Sequence, residues 1–213
     1  MRLKAIELYK ATLKLTSLQR EVLVGLLLGD GHLEKSPCTE CARLKVEQRE
    51  GAWEYVEWLY KIFQDWIRAP LKHRKTFLKV TGKHYGKYCF TTYMHKEFLP
   101  YRKLFYVHGK KVIPKNIADL LTPLGFAVWF MDDGSIKSHE SRGRIINTHA
   151  FTLKEIDLLC EVLCEKFHLQ VKPRRQADGI QLYISGTSAD VLQKLLETHV
   201  VPMMRYKLPL YSR

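Results

Sequence analysis

No apolar run in this sequence reaches the roughly 18 residues that a membrane helix needs, which excludes a segment of that kind. Low-complexity tracts are absent as well, and no secretory signal opens the chain. The first twenty residues are basic and mildly amphipathic, but Glu7 and the scarcity of Ser and Arg argue against a transit peptide. The expected location is therefore the compartment of synthesis: mitochondrion or chloroplast for an organelle-encoded chain, cytoplasm for a bacterial one. Cysteine is sparse and odd in number, five in all, which points to free thiols in a reducing compartment. Cys38 and Cys41 form a CxxC, but no second ligand pair of suitable spacing accompanies them, so structural zinc is not expected.

What the sequence has in excess is positive charge. Lys and Arg number 35 against 22 acids, a formal charge of +13, and such a surface suits a polyanion. With 213 residues and 46% hydrophobic content the chain can bury a core of one domain or of two small fused ones.

The same succession of elements occurs twice. Thr16 and Gln19 have capping-box spacing ahead of the apolar run 18–31, LQREVLVGLLLGDG. A loop to about residue 41 follows, then a strand over 42–48 and a helix over 53–67, where the apolar residues recur at helical spacing. The runs 71–80 and 87–93, joined by TGKHYG, predict a hairpin, and 95–107 a helix. In the second copy Thr122 caps and Pro123 opens the helix 123–134, PLGFAVWFMDDG. A strand over 142–151 comes next, then a helix over 153–167 behind the capping box Thr152 and Glu155. Strands 169–176 and 180–186 flank the turn at Ala177-Asp178-Gly179, and a helix over 188–200 closes the chain. The expected fold is α+β: two pseudo-symmetric αββαββα halves, 1–109 and 110–213, with mostly antiparallel sheet.

Aligning LVGLLLGDG (23–31) with FAVWFMDDG (126–134) places Asp30 over Asp133. Both segments are apolar on all sides until the last acid, so each helix must be buried all round. Gly25, Gly29 and Ala127 remove bulk and allow the two helices to pack side by side. A carboxylate at the negative end of a helix dipole is electrostatically misplaced unless a cation joins it. Oxygen ligands of this kind suit Mg²⁺, and a divalent ion beside a phosphate activates water and stabilises the leaving oxygen. A single Asp-Gly end would merely terminate a helix. Two at matching positions of a duplicated, basic chain favour the metal reading.

These paired motifs resemble the two LAGLIDADG signatures of homing endonucleases, in the single-chain class with two pseudo-repeats. The similarity spans essentially the whole chain and is most specific in LTPLGFAVWFMDDGS (121–135) and VPMMRYKLP (201–209). It implies halves packed through paired motif helices, with the sheets forming a DNA-binding saddle. It implies a divalent-metal-dependent endonuclease making a staggered double-strand break in a long asymmetric double-stranded target, in the service of intron mobility. Mg²⁺ is the expected ion, with Mn²⁺ as a substitute. The eighth motif position, the metal-binding acid of the family, is Asp30 in one motif and Asp133 in the other. The backbone carbonyls of Gly29 and Asp132 are candidate further ligands. The first motif departs from the consensus at Leu28, which leaves the eighth position intact. The resemblance also assigns Lys111 and Lys207 to the catalytic centres, with Lys110 a competitor for the first, and gives Asp132 a supporting or a solvent-facing role. A polar pocket residue on the first strand of each half falls on Gln48 or Lys45 in one and on His149 or Asn147 in the other.

The predicted DNA contacts are Lys72, Arg74, Lys75, Lys79, Lys83 and Lys87 in the first hairpin. Lys172, Arg174, Arg175 and Gln176 in the second are joined by Arg142 and Arg144 on the preceding strand. A two-stranded ribbon fits the major groove, and strand alternation would give each strand one core face and one DNA face. A monomer is expected, because both halves lie on one chain. An RNA maturase acting on the host intron and a non-catalytic DNA-binding regulator are the alternatives, and the intact acid pair weighs against the regulator.

Overall fold

A computed structural model describes residues 2–80, 82–138, 140–177 and 179–210. Thr81 and Asp178, in the two expected hairpin turns, lie outside the described residues. The chain opens with α1 (Arg2–Thr12) and α2 (Ser17–Leu28). The Thr16 hydroxyl accepts from the Gln19 amide at 3.2 Å and the Gln19 side chain accepts from the Thr16 amide at 3.1 Å, closing the box. Gln19 does more than cap: its Nε2 donates to the Ile62 carbonyl and its Oε1 accepts from Trp66 Nε1.

Where a loop to residue 41 was expected, α2 runs almost directly into β1 (His32–Lys35), which pairs with β2 (Ala42–Arg49). Next come α3 (Trp53–Ile62), β3 (Lys72–Leu78), β4 (Lys83–Thr91) and α4 (Leu99–Phe105). The α4 helix starts later than the sequence pattern suggests. Pro100 cannot donate a backbone hydrogen bond, so an α-helix tolerates it only in its first turn, and residues 96–98 are a separate 3₁₀ turn. A small hairpin, β5 (Tyr106–Val107) and β6 (Lys110–Lys111), leads through α5 (Ile117–Leu120) to α6 (Pro123–Asp133). Then follow β7 (Gly134–Ile136), β8 (Arg144–Asn147), α7 (Leu153–Phe167), β9 (Val171–Gln176), β10 (Gly179–Ile184) and α8 (Ala189–Leu196).

The contacts of the chain define two units, Met1–Arg20 with Asp30–Lys103, and Glu21–Gly29 with Leu104–Arg213. Each holds a four-stranded antiparallel sheet of the same topology, β1-β2-β4-β3 in one and β7-β8-β10-β9 in the other. Order and register repeat, so the αββαββα duplication read from the sequence is real.

In the first unit Leu33, Leu44, Val46 and Phe90 of the sheet are buried, as are Tyr55, Val56 and Leu59 of α3. Trp66 packs edge-on to Phe98 and to His95. His95 is buried, its Nδ1 accepting from the Glu97 amide at 3.1 Å and its Nε2 facing the Lys10 carbonyl at 3.0 Å. That pattern requires the neutral ring with its proton on Nε2, and burial pushes the pKa below the ordinary 6.5. The unfolded chain then binds a proton that the folded one does not, so stability present above 6.5 is lost as pH falls through it. Thermal melts between pH 7.5 and 5.5 should show Tm falling with acid, and His95→Gln should flatten that slope. An equal slope in the variant would assign the effect elsewhere.

The first hairpin departs from simple alternation. From Lys72 to Phe77 every residue of β3 is exposed, and so are Lys83–Tyr85 of β4. Both faces of this end of the ribbon meet solvent, because the buried residues of β4, Cys89 and Phe90, lie at its other end. The turn includes Gly82 at φ +63°, a left-handed conformation that glycine adopts without strain.

Candidate active site and nucleic-acid interface

The residues Val22–Leu28 of α2 and Gly125–Met131 of α6 are buried throughout. The two helices cross at glycines. A Cβ on Gly25 would overlap the Gly125 carbonyl oxygen and stand 2.7 Å from Val128 Cβ. Gly25 therefore meets Gly125 and Val128 rather than Ala127. At the far end a Cβ on Gly29 would lie 2.6 Å from Asp132 Cβ, so the residues immediately before the two acids are in contact. Above the crossing Thr122 donates to Glu21 at 2.6 Å while it caps Gly125, tying the two helix starts together. Gly25→Val should destabilise the protein by roughly 1–3 kcal/mol or more through overpacking. Urea unfolding measures this, and a neutral result would mean that the crossing relaxes.

Both helices end on a lysine. The Lys111 ammonium donates to the Gly29 carbonyl. The Lys207 ammonium donates to the Met131 carbonyl and, at 3.3 Å, to that of Asp132. The last carbonyls of a helix lack internal partners and carry the negative end of its dipole, so a buried cation there is stabilising. Lys111 fills this place; Lys110, its neighbour on β6, is exposed. Lys207 comes from a 3₁₀ segment, Pro202–Lys207, and is itself buried. Asp132 is half-buried, and its side chain lies against Gly29.

Asp30, just beyond α2, is exposed, and its Oδ2 accepts from Gln48 Nε2 at 2.8 Å. Gln48 thus takes the place for which Lys45 was the other candidate. Asp133 is the last residue of α6 and is half-buried. The ladders give the equivalences between halves. His32, two residues past Asp30, pairs with Lys45; Ser135, two past Asp133, pairs with Ile145. Gln48 therefore corresponds to Thr148, not to His149 or Asn147. Thr148 is buried and donates to the Ile180 carbonyl, and Asn147 accepts from Gln181 at 2.9 Å.

Among the described residues no cluster of three or more His, Cys, Asp or Glu side chains could hold a metal. The donor set at these helix ends is instead carboxylate and main-chain oxygen. That fits a hard ion such as Mg²⁺, which keeps several waters and takes one or two carboxylates plus phosphate. The Gly29 and Asp132 carbonyls are engaged by the lysines.

The register also sorts the cations, since directly opposed residues share a face. On the first sheet Lys72, Arg74, Lys83 and Lys87 lie on the face away from the core. Lys45 and Arg49 of β2 share that face, two cations that the sequence reading did not place at the interface. Lys87 and Lys45 pair with Glu47 there, at 2.6 and 3.8 Å. Hydrogen bonding from Lys87 is the leading cause that holds the Glu47 pKa below its ordinary value. Lys75, opposite Gly86, is on the other face, and Lys79 is exposed in the turn. On the second sheet Lys172, Arg174 and Gln176 share the outer face with Gln181 and Tyr183, while Arg175 projects from the opposite one. The Lys137 and Lys172 ammonium groups stand 5.1 and 5.9 Å from the Tyr183 ring centre. Arg142 is exposed and ion-paired with Asp190.

Arg144 must be removed from the DNA contacts. It is 1% exposed, at the position where the first half has the core residue Leu44, and its guanidinium is enclosed by main-chain carbonyls.

A duplicated α+β architecture with an acid and a lysine at the end of each motif helix defines the class, and comparison with known proteins agrees. Residues 20–192 match the LAGLIDADG DNA endonuclease family. The chain belongs to that family and is, by class, a DNA endonuclease. It is 29% identical over 195 residues to the cytochrome b mRNA maturase bI2 of Debaryomyces hansenii, covering 90% of this chain and 73% of that protein. A probable intron-encoded endonuclease 1 of Wickerhamomyces canadensis is 28% identical over 201 residues, with coverage of 91% and 85%. Among solved structures, the homing endonuclease I-WcaI bound to its DNA recognition sequence superposes with a TM-score of 0.90 at 25% identity, covering 95% of this chain and 91% of that one.

Proposed function

We propose that this chain is a site-specific homing endonuclease that makes a metal-dependent staggered double-strand break in a long, asymmetric DNA target and so promotes mobility of its host intron. The observation that carries the proposal is the matched pair of helix ends, each with an aspartate at the eighth motif position and a lysine on the terminal carbonyls. Asp30 and Asp133, one in each of the halves 1–109 and 110–213, are the acids that would hold Mg²⁺, with Mn²⁺ as a substitute. The ion would supply an activated water and charge neutralisation at the phosphate. Gln48 keeps the Asp30 carboxylate oriented. The ammonium groups of Lys111 and Lys207 place positive charge where the transition state gathers negative charge. The cations on the outer faces of the two sheets bind the duplex: phosphate contacts position it, and Arg, Lys and Gln side chains read base edges.

The hairpins differ in length and composition, so the half-sites should differ, and a chain with both motifs has no need of a dimer. The test is incubation with DNA carrying the uninterrupted host gene in Mg²⁺, with the ends mapped on both strands. A staggered cut at one asymmetric locus is expected; intact DNA would refute the reading. The likeness to a protein named mRNA maturase favours a second reading, in which the same basic faces bind intron RNA. Splicing of the intron transcript with purified protein would show it.

A further inference from the structure

We infer that Arg144 is a positioning residue for Lys207, and that it makes cleavage of one DNA strand depend on a buried tether which the other strand's cleavage does not share. This rests on the endonuclease reading above. At this ladder position the first half carries Leu44, which is 0% exposed and packs as an ordinary core residue. In the second half the position carries a guanidinium. Burying a charged group is costly unless it is paired and hydrogen-bonded, so packing does not explain the choice. The partners do.

Arg144 Nε donates to the Lys207 carbonyl at 2.6 Å and Nη2 to the Leu208 carbonyl at 2.8 Å. Nη1 donates to Gly143 at 2.9 Å and to Ser141 at 3.2 Å, which fixes the guanidinium on its own side of the contact. The planar fork bridges β8 to the backbone of the residue whose ammonium reaches the end of α6. The Val201 amide meets Met131 Sδ at 3.4 Å, so the segment is pinned where it starts as well as where it ends. Lys111, in contrast, sits on the β5–β6 hairpin, which fixes it through strand pairing. The two lysines are held by different devices, and only one depends on Arg144. Desolvation lowers the arginine's pKa, from so high an ordinary value that it stays charged.

The test uses a supercoiled plasmid carrying the target, read as nicked and linear product with strand-specific end mapping. Arg144→Leu, which restores the residue of the first half, should slow one strand by roughly 10²-fold, the cost of a misplacement of about 1 Å. Nicked DNA should accumulate while DNA binding is retained. The strand spared from cutting should be the one that Lys207→Met spares, and the double variant should be no worse for it. Arg144→Lys, which cannot span two carbonyls, should be intermediate; it decides the question if the leucine variant does not fold. Hydrogen exchange of amides 203–208 should accelerate in either variant. Equal slowing of both strands, no slowing, or unchanged exchange would overturn the inference. Failure of the wild-type protein to cut any DNA would instead defeat the endonuclease reading, leaving the exchange result to judge the tether.

Discussion

Asp30→Asn and Asp133→Asn are each expected to abolish double-strand cleavage, by roughly 10³-fold or more, while DNA affinity changes by no more than about twofold. Even groups that merely orient metal ligands cost about 10–100-fold when lost, and these acids are the proposed ligands themselves. The asparagine side chain has the same shape, so neither α6, which ends in Asp133, nor the Gln48 contact at Asp30 should be greatly disturbed. Removing one negative charge beside phosphates should not weaken the complex. The two variants should nonetheless differ in detail. Asp30 is exposed and held by Gln48, whereas Asp133 is half-buried and its half has Thr148 at the corresponding place. Unequal residual nicking by the two variants is therefore expected. Cleavage of both strands at near the wild-type rate by either one would show that the acid is not catalytic.

Binding should fall steeply with salt. The outer face of the first sheet carries Lys45, Arg49, Lys72, Arg74, Lys83 and Lys87, and that of the second Lys172 and Arg174. Glu47 holds part of this charge, so not every cation is available to phosphate. With six to ten phosphate contacts, affinity drops by about 10³–10⁵ between 50 and 200 mM salt. Arg74→Ala should lower the slope by about one contact, whereas Arg144→Leu should leave it unchanged, because Arg144 is buried. A gel-shift titration that is flat in salt would contradict a polyanion-binding surface.

Much of this was legible because the signals are local. Thr16 with Gln19, Thr122 with Pro123, and Thr152 with Glu155 announce their helices by hydrogen-bond chemistry within three residues, and each cap forms. The motif helices were legible through an apolar run that no exposed helix would carry. Less local features were hidden. The strands β1 and β7 are four and three residues long, too short to show a period of two, so the sequence reads as loop there. The exposed β3 could have been recognised: from Lys72 to Thr76 neither alternate set contains an apolar residue to face a core. Gln48 could be chosen over Lys45 only once the ladder showed which face each occupies. Arg144 was the hardest, since a cation in a strand beside a basic ribbon reads as a DNA contact. Its burial depends on a segment more than sixty residues away, whose carbonyls receive it. A register that equates it with Leu44 is the signal that would have exposed it.

One chain with two unlike halves should cut duplex DNA through Asp30 and Asp133. The most direct measurement is selection of cleaved sites from a randomised duplex library in Mg²⁺, run in parallel with wild-type protein and with the Asp30→Asn/Asp133→Asn double variant. The wild-type protein should enrich one long, asymmetric sequence with staggered ends, and the double variant should enrich none. A palindromic consensus, equal recovery by the double variant, or no cleaved site at all would contradict the account.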